Sequence, residues 1–290
     1  MIRRIEYPTR EAWLADRRNF IGASEVASII GAPGAYSSRW EIWARKCGKL
    51  PEKPESESMR WGSRLERSIA LGVAEDHGGT VTPTDSRYCV GPEDKPHHRA
   101  TPDAVWQVSG EELLLEIKNV DRMLGEHWDA GPPPHVVVQL QWQMYCAGFD
   151  RAAVAALIGG NRLHVYHVER DDELIDELVR AVDAFWCTVE NRLEPRAEAR
   201  DVELLPVRWQ AFGGVVHELT LVDARRLVGA AAAVKDAQTA YNQVKAETMQ
   251  AMGAATEGMI DGQAVVTWRE NKAGSRVFRL TRNAADIVRG

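Results

Sequence analysis

Residues 101–120 read TPDAVWQVSGEELLLEIKNV, and the fold is decided here. Two extended runs, Arg99 to Val108 and Glu111 to Val120, flank Ser109-Gly110, a pair suited to a tight hairpin turn. The second run carries Leu113, Leu114, Leu115 and Ile117, so it reads as a central strand buried on both faces. Glu116 and Lys118 stand two residues apart within it and therefore share a face. A carboxylate buried among leucines is costly unless a cation faces it. Asp103, on the neighbouring strand, offers a second carboxylate that a divalent ion would hold together with the first. A Glu116–Lys118 ion pair with an incidental turn aspartate is the competing reading of this stretch alone.

Working outward, Met59 to His77 places Trp61, Leu65, Ile69 and Val73 at helical spacing and stops at Gly78-Gly79, after which Thr80 to Val90 reads as extended. Ser24, and Ser37 or Ser38, stand where they would cap two shorter helices, through Ile30 and through Cys47. Beyond the proline-rich loop Gly131 to Pro134, His135 to Gly148 reads as a helix. Ala152 to Ile158 and Leu163 to Val168 read as strands joined by Gly159-Gly160-Asn161, and Asp171 opens a helix bearing Leu174, Leu178, Val182 and Phe185. This order predicts an α/β domain over residues 1–200, a mixed central sheet flanked by helices. Residues 201–290 read as an appendage. Past a charged, proline-bearing stretch (Glu194 to Pro206), Val222 to Met252 carries Leu227, Val234, Tyr241 and Thr248 at heptad spacing, with Ala230, Ala237, Val244 and Ala251 on the alternate seam. That is one long helix, to pack on the body or against another subunit. Ala264 to Glu270 and Arg276 to Thr281 read as a basic β-hairpin.

The 290 residues, 44% apolar and 27% charged, suffice for a core without metal or disulfide staples. No run reaches the roughly 18 to 20 apolar residues of a membrane span, and MIRRIEYPTREAW lacks the apolar run of a signal peptide, which predicts a cytoplasmic protein with no membrane partner. Cys47, Cys89, Cys146 and Cys187 form no CxxC pair, so they read as buried free thiols. A net charge of -6 excludes a protein coated in positive charge but permits a local basic groove: the first 50 residues hold 9 Lys+Arg against 5 Asp+Glu, and the last 27 hold 6 against 2. Trp40, Trp43, Trp142 and Trp186 suit core positions on helices. His97-His98 lacks a matching third ligand in the sequence, and His164 and His167 fall on a half-exposed strand.

Five segments act jointly: DRRNFIGASEVASIIG (16–31), RWGSRLERSIA (60–70), TPD (101–103), LLLEIKN (113–119) and VVVQLQWQMYCAG (136–148). With Asp103 and Glu116 thirteen residues apart, the set resembles the PD-(D/E)XK nuclease pattern, and more closely the YqaJ-like viral recombinase family that includes the exonuclease of bacteriophage lambda. The likeness spans about Glu11 to Arg192 and implies a restriction-endonuclease-like core. It implies that Glu66, Asp103, Glu116 and the backbone carbonyl of Ile117 hold Mg²⁺, with Mn²⁺ as a substitute, since all are hard oxygen donors. Lys118 would hold and help deprotonate the attacking water, and Gln139 would orient Lys118 or that water. Gln141, two residues along the helix, points elsewhere. Arg17, Ser24 and Thr101 would cradle a 5′-terminal phosphate, with Arg18 as the neighbour that replaces Arg17 if the register slips. Thr101 stands where the lambda enzyme has serine, which keeps the hydroxyl and adds a methyl group.

The implied activity is Mg²⁺-dependent 5′ to 3′ hydrolysis of one strand of double-stranded DNA, leaving 3′ single-stranded overhangs for phage-type recombination in a bacterial host. The implied partners are duplex DNA ends, a single-strand annealing protein and further copies of the chain, a ring-shaped trimer being known in the family. An endonuclease of the same superfamily, a non-catalytic DNA-end binding module, and an interaction protein working through its tail helix are the alternatives.

Overall fold

The computed structural model describes residues 1–52, 54–84, 87–209 and 213–289. The chain opens with β1 (Ile2–Glu6), α1 (Arg10–Asp16), α2 (Ala23–Ile30), α3 (Arg39–Lys46) and the 21-residue α4 (Glu57–His77). Then come β2 (Thr80–Pro83), β3 (Tyr88–Pro92), β4 (Ala104–Val108), β5 (Glu111–Val120), α5 (Pro134–Ala147), β6 (Arg151–Ile158), β7 (Arg162–Glu169), α6 (Asp172–Glu190) and the short α7 (Leu205–Arg208). These belong to a first compact unit, Met1–Ala211. The second, Phe212–Gly290, contains α8 (Leu221–Met252), β8 (Glu257–Ile260), β9 (Gln263–Glu270), β10 (Arg276–Leu280) and α9 (Ala284–Arg289).

The main sheet has the strand order β2-β4-β5-β6-β7, with β5 parallel to β6 and the other pairs antiparallel. Ser109 and Gly110 both hold positive φ, 52° and 82°, the geometry of a two-residue hairpin turn between β4 and β5. Two expected strands are shorter than their sequence runs. Pro102 has no N–H to give a ladder, and β4 begins only at Ala104. The run from Thr80 to Val90 divides between two sheets, because β3 pairs with the N-terminal β1 from Ile2↔Pro92 to Glu6↔Tyr88. Asp85 and Ser86, within that run, lie outside the described residues.

Strand periodicity sorts β5 between two layers. Leu113, Leu115 and Ile117 pack with Ile69, Ala70 and Val73 of α4, while Leu114 packs with Val136, Leu140 and Met144 of α5. Glu116 and Lys118 share the parity of Leu114 and so face α5. A third cluster joins α2, α3, α5 and α6 through Val26, Trp40, Trp43, Trp142, Leu178 and Phe185. The apolar stripe of α4 begins at Leu65, since Trp61 is exposed and carries Arg64 on its ring. Cys187 is exposed as well, contrary to the reading of four buried thiols.

Helix ends follow capping chemistry with one correction. Ser38 accepts from Glu41 N at 2.8 Å and Ser56 from Met59 N at 3.2 Å. At α2 the cap is Gly22, whose N–H donates to Glu25 Oε2 at 2.8 Å, so Ser24 is already the second helical residue and is exposed. The stretch after Glu194 is tied to the first unit: Ser38 Oγ donates to the buried Asp201 at 2.5 Å and Trp40 Nε1 to Glu194 at 2.9 Å.

In the second unit, α8 runs 32 residues with none of them buried. Leu227, Val234 and Val244, on its heptad seam, are all more than 60% exposed. Its stripe is lined mainly by alanines and valines and buries little apolar area. No helix among the described residues is long and apolar enough to cross a membrane.

Candidate active site

β5 places Glu116 and Lys118 against α5, where Gln139 and Gln143 stand one helical turn apart on the facing side. Glu116 is 2% exposed, yet both of its oxygens are satisfied. Lys118 Nζ lies 2.6 Å from Oε1, Gln139 Nε2 donates to the same oxygen at 2.6 Å, and Gln143 Nε2 donates to Oε2 at 2.7 Å. Gln139 also accepts from Lys118 Nζ at 3.1 Å, closing a ring of three side chains. Sequence reasoning missed Gln143, although its spacing of four from Gln139 was the available signal. Gln141 points away as expected: it accepts from Asp171 N at 2.9 Å and donates to Glu169 O at 2.8 Å, stapling β7 to α6.

Asp103 reaches the same place from the start of β4, its Oδ2 accepting the Ile117 amide at 2.8 Å. The side chain of Ile117 is in the core, which leaves its main chain facing the cluster. Glu66 comes from α4 and lines with Asp103, Gln139 and Gln143 a cleft of about 370 Å³. Burial, then the charge of Glu116, raise the pKa of Asp103 well above the usual carboxylate range, and the same two causes raise that of Glu66. Burial lowers the pKa of Lys118, but the pull of Glu116, Tyr36 and Asp103 outweighs it and holds the ammonium charged. Three carboxylates thus face one lysine, an excess of negative charge in an all-oxygen donor set. Oxygen donors of this kind are those a hard divalent cation takes, while among the described residues the ligand atoms that already lie within 4.8 Å of one another are those of His97, His98 and Asp183.

The remaining wall of the cleft carries Arg10, Trp13, Arg17, Ser24 and Thr101. Arg17 lies over the Trp13 ring at 5.1 Å and 3.8 Å from Glu25, which Lys46 also holds at 2.8 Å. Arg18 pairs with Glu52 at 3.5 Å and is not among the residues lining the cleft, whereas Arg17 is. Thr101 lines the cleft, but its hydroxyl donates to Tyr88 O at 2.9 Å, which commits the proton to the fold. Arg10 and Trp13 were not read as site residues. They stand seven and four residues before Arg17 on α1, a helix too short for its periodicity to be evident.

A separate cluster corrects the reading of His97-His98. Asp183 of α6 is the third partner, 2.9 Å from His97 Nε2 and 3.0 Å from His98 Nε2, and Lys95 Nζ is 2.7 Å from its other oxygen. His98 Nδ1 meets the Tyr145 hydroxyl at 3.1 Å, and Trp186 stacks on His97 at 5.2 Å. Both imidazoles and Lys95 converge on Asp183, and the network ties the loop before Arg99 to α5 and α6.

Comparison with known proteins bears on the domain and the fold. Residues 12–150 match the YqaJ-like viral recombinase domain. An uncharacterized protein, YqaJ of Bacillus subtilis (strain 168), is 31% identical over 182 residues, covering 61% of this chain and 56% of that protein. The match therefore spans little more than half of that relative's length. Among solved structures, an alkaline exonuclease from Laribacter hongkongensis (LHK-Exo) is 25% identical with a TM-score of 0.53, covering 63% of this chain and 94% of that one. Its complex with dAMP, at 24% identity and a TM-score of 0.51, covers 68% and 96% and shares the fold.

Proposed function

With residues 12–150 forming a YqaJ-like viral recombinase domain, we propose that the protein is a divalent-metal-dependent nuclease that degrades double-stranded DNA ends in the 5′ to 3′ direction and leaves 3′ overhangs. The observation that carries the reading is one cleft with two chemistries: Glu66 and Asp103 on one side, Arg17 and Ser24 on the other. The family match and the alkaline exonuclease neighbour support a nuclease.

Glu66, Asp103 and Glu116, with the Ile117 carbonyl, would hold Mg²⁺ or Mn²⁺, which supplies positive charge to the phosphate and to the departing 3′ oxygen. Gln139 and Gln143 fix the Glu116 carboxylate in position by its two oxygens. Lys118 donates to Glu116 and Gln139 within this ring, and its cationic ammonium would orient water and oppose the charge growing on the phosphate. Arg17 and the exposed Ser24 hydroxyl supply donors for a terminal phosphate. Thr101 contributes shape more than a proton.

A single-strand annealing protein to coat the overhang, and self-association into a ring that keeps hold of DNA, complete the proposal, with the cytoplasm of a bacterial host as its setting. The test is digestion of linear duplexes with and without a 5′ phosphate, beside a closed circle, in Mg²⁺ or EDTA. Mg²⁺-dependent loss of the linear duplex alone, faster with the phosphate, is the expected result. Cutting of the circle would make it an endonuclease, and no cleavage in any metal would make it an end-binding module.

A further inference from the structure

Tyr36 stands between α2 and α3 with 59% of its surface exposed, on a loop whose backbone is fixed at several points. Ala32 N donates to Ala27 O at 2.9 Å, Ser37 N to Ser28 Oγ at 3.2 Å, and Arg200 holds Ala35 O at 3.0 Å. Gly34, at φ 81°, presses so closely on α5 that a Cβ there would lie 2.4 Å from His135 Nδ1. The Tyr36 ring meets the His135 ring at 5.1 Å and 83°, a perpendicular contact that uses one side of the tyrosine and leaves the rest to solvent.

This ring stands beside the catalytic cluster. His135 is four residues before Gln139 on α5, one turn along the same face, and Gln139 accepts from Lys118 at 3.1 Å. Gln139 lines the cleft that carries the phosphate-binding wall, while Tyr36 and His135 stand outside it, with Tyr36 near enough to Lys118 to act on it electrostatically. A strand anchored by its 5′ phosphate at Arg17 and passing the carboxylates beside Lys118 would come within reach of this exposed ring. Holding an exposed aromatic rigid at such a point suits stacking, because every nucleobase has a π-face and a fixed ring loses little freedom on contact.

We propose that Tyr36 is a positioning residue that stacks on the nucleobase immediately 3′ of the scissile phosphate, the second base from the 5′ end. This rests on the nuclease reading above. Its role is to hold the strand in line for attack, independent of sequence, with His135 as the buttress behind the ring.

The experiment uses 5′-phosphorylated duplexes carrying either a normal base or a tetrahydrofuran abasic residue at the second nucleotide, cleaved under single-turnover conditions in Mg²⁺. Wild type should lose about tenfold in kcat/KM on the abasic duplex. Tyr36→Ala should lose about tenfold on the normal duplex and nothing further on the abasic one. Tyr36→Phe, which keeps a ring, should restore the sensitivity to the missing base. Fully additive losses in Tyr36→Ala, or equal rates on both duplexes in wild type, overturn the stacking role while leaving the nuclease intact. Absence of cleavage by wild type on either duplex overturns the nuclease reading itself.

Discussion

The side-chain amide of Gln143 donates a 2.7 Å hydrogen bond to Glu116 Oε2. It comes from α5, as does the Gln139 bond to Oε1, so a strand carboxylate is aimed by two glutamines of one helix. Gln143 is 1% exposed and its own Oε1 has no hydrogen-bond partner among the described residues, a cost the core tolerates at this position. Gln143→Leu, which keeps the volume and removes the donor, should lower the single-turnover cleavage rate by about 10- to 100-fold, the worth of a hydrogen bond to a charged group. A rate like that of wild type would remove Gln143 from the positioning of Glu116.

Asp103→Asn should abolish Mg²⁺-dependent cleavage and leave DNA binding in place, and Glu116→Gln should do the same. Asp103→Asn carries a second consequence. The Asp103 pKa is raised by burial and by Glu116, so its ionised form is a burden on the metal-free protein at neutral pH, while Asn keeps an acceptor for the Ile117 amide. Metal-free Asp103→Asn should therefore melt above wild type by several degrees at pH 7, with the difference shrinking as the pH falls. A lower melting temperature would contradict the charge balance described for the site.

Lys118→Ala should reduce single-turnover cleavage by about 10²-fold or more, within the range of lost acid–base assistance. The ammonium has Glu116 and Gln139 as its partners, so quench-flow rates at saturating DNA are the readout rather than affinity. Unchanged rates would defeat the role.

Arg17→Ala and Ser24→Ala should each diminish the preference for 5′-phosphorylated over 5′-hydroxyl ends. Thr101→Val should change it less, because the Thr101 proton goes to the Tyr88 carbonyl. Competition between the two kinds of end, measured for the three variants side by side, checks the order. A Thr101→Val effect as large as that of Arg17→Ala would show that the hydroxyl rotates to the phosphate.

His98 sets a pH limit on stability. It is fully buried, and burial, followed by the charge of His97, lowers its pKa from 6.5 to about 4 despite the opposing pull of Asp183. Because the folded value is the depressed one, the stabilisation is fully present above about pH 6.5 and is lost as the pH falls through about 4. The swing is about 3 kcal/mol at most. Urea unfolding at steps from pH 7.5 to 4 should show this decline, and His98→Gln should flatten it. Equal slopes in both proteins would contradict the assignment.

How much of this was legible in the sequence follows from which contacts are local. The Ser109-Gly110 turn, the apolar run of β5 and the stops at Gly78 and Gly148 are written in neighbouring residues, and the helices and strands they delimit stand close to their expected bounds. What the sequence hid is long-range. β3 leaves the main sheet because its partner, β1, lies at the other end of the segment, and no periodicity in β3 announces it. Asp183 joins His97 and His98 across 85 residues or more. At the site, Glu116 and Lys118 were readable from strand alternation, and Gln139 through family likeness. Gln143 was hidden only by attention to Gln141, whereas Tyr36 depends on a loop packing against α5, which spacing cannot reveal.

Cleavage of a linear duplex labelled at either end, followed in Mg²⁺ and in EDTA with wild type and Glu116→Gln in parallel, tests the central claim most directly. Early release of the 5′ label in Mg²⁺ by wild type alone is the predicted result. Release that persists in EDTA or in Glu116→Gln would contradict a metal-dependent site built on Glu66, Asp103 and Glu116, and early release of the 3′ label would contradict the direction of digestion.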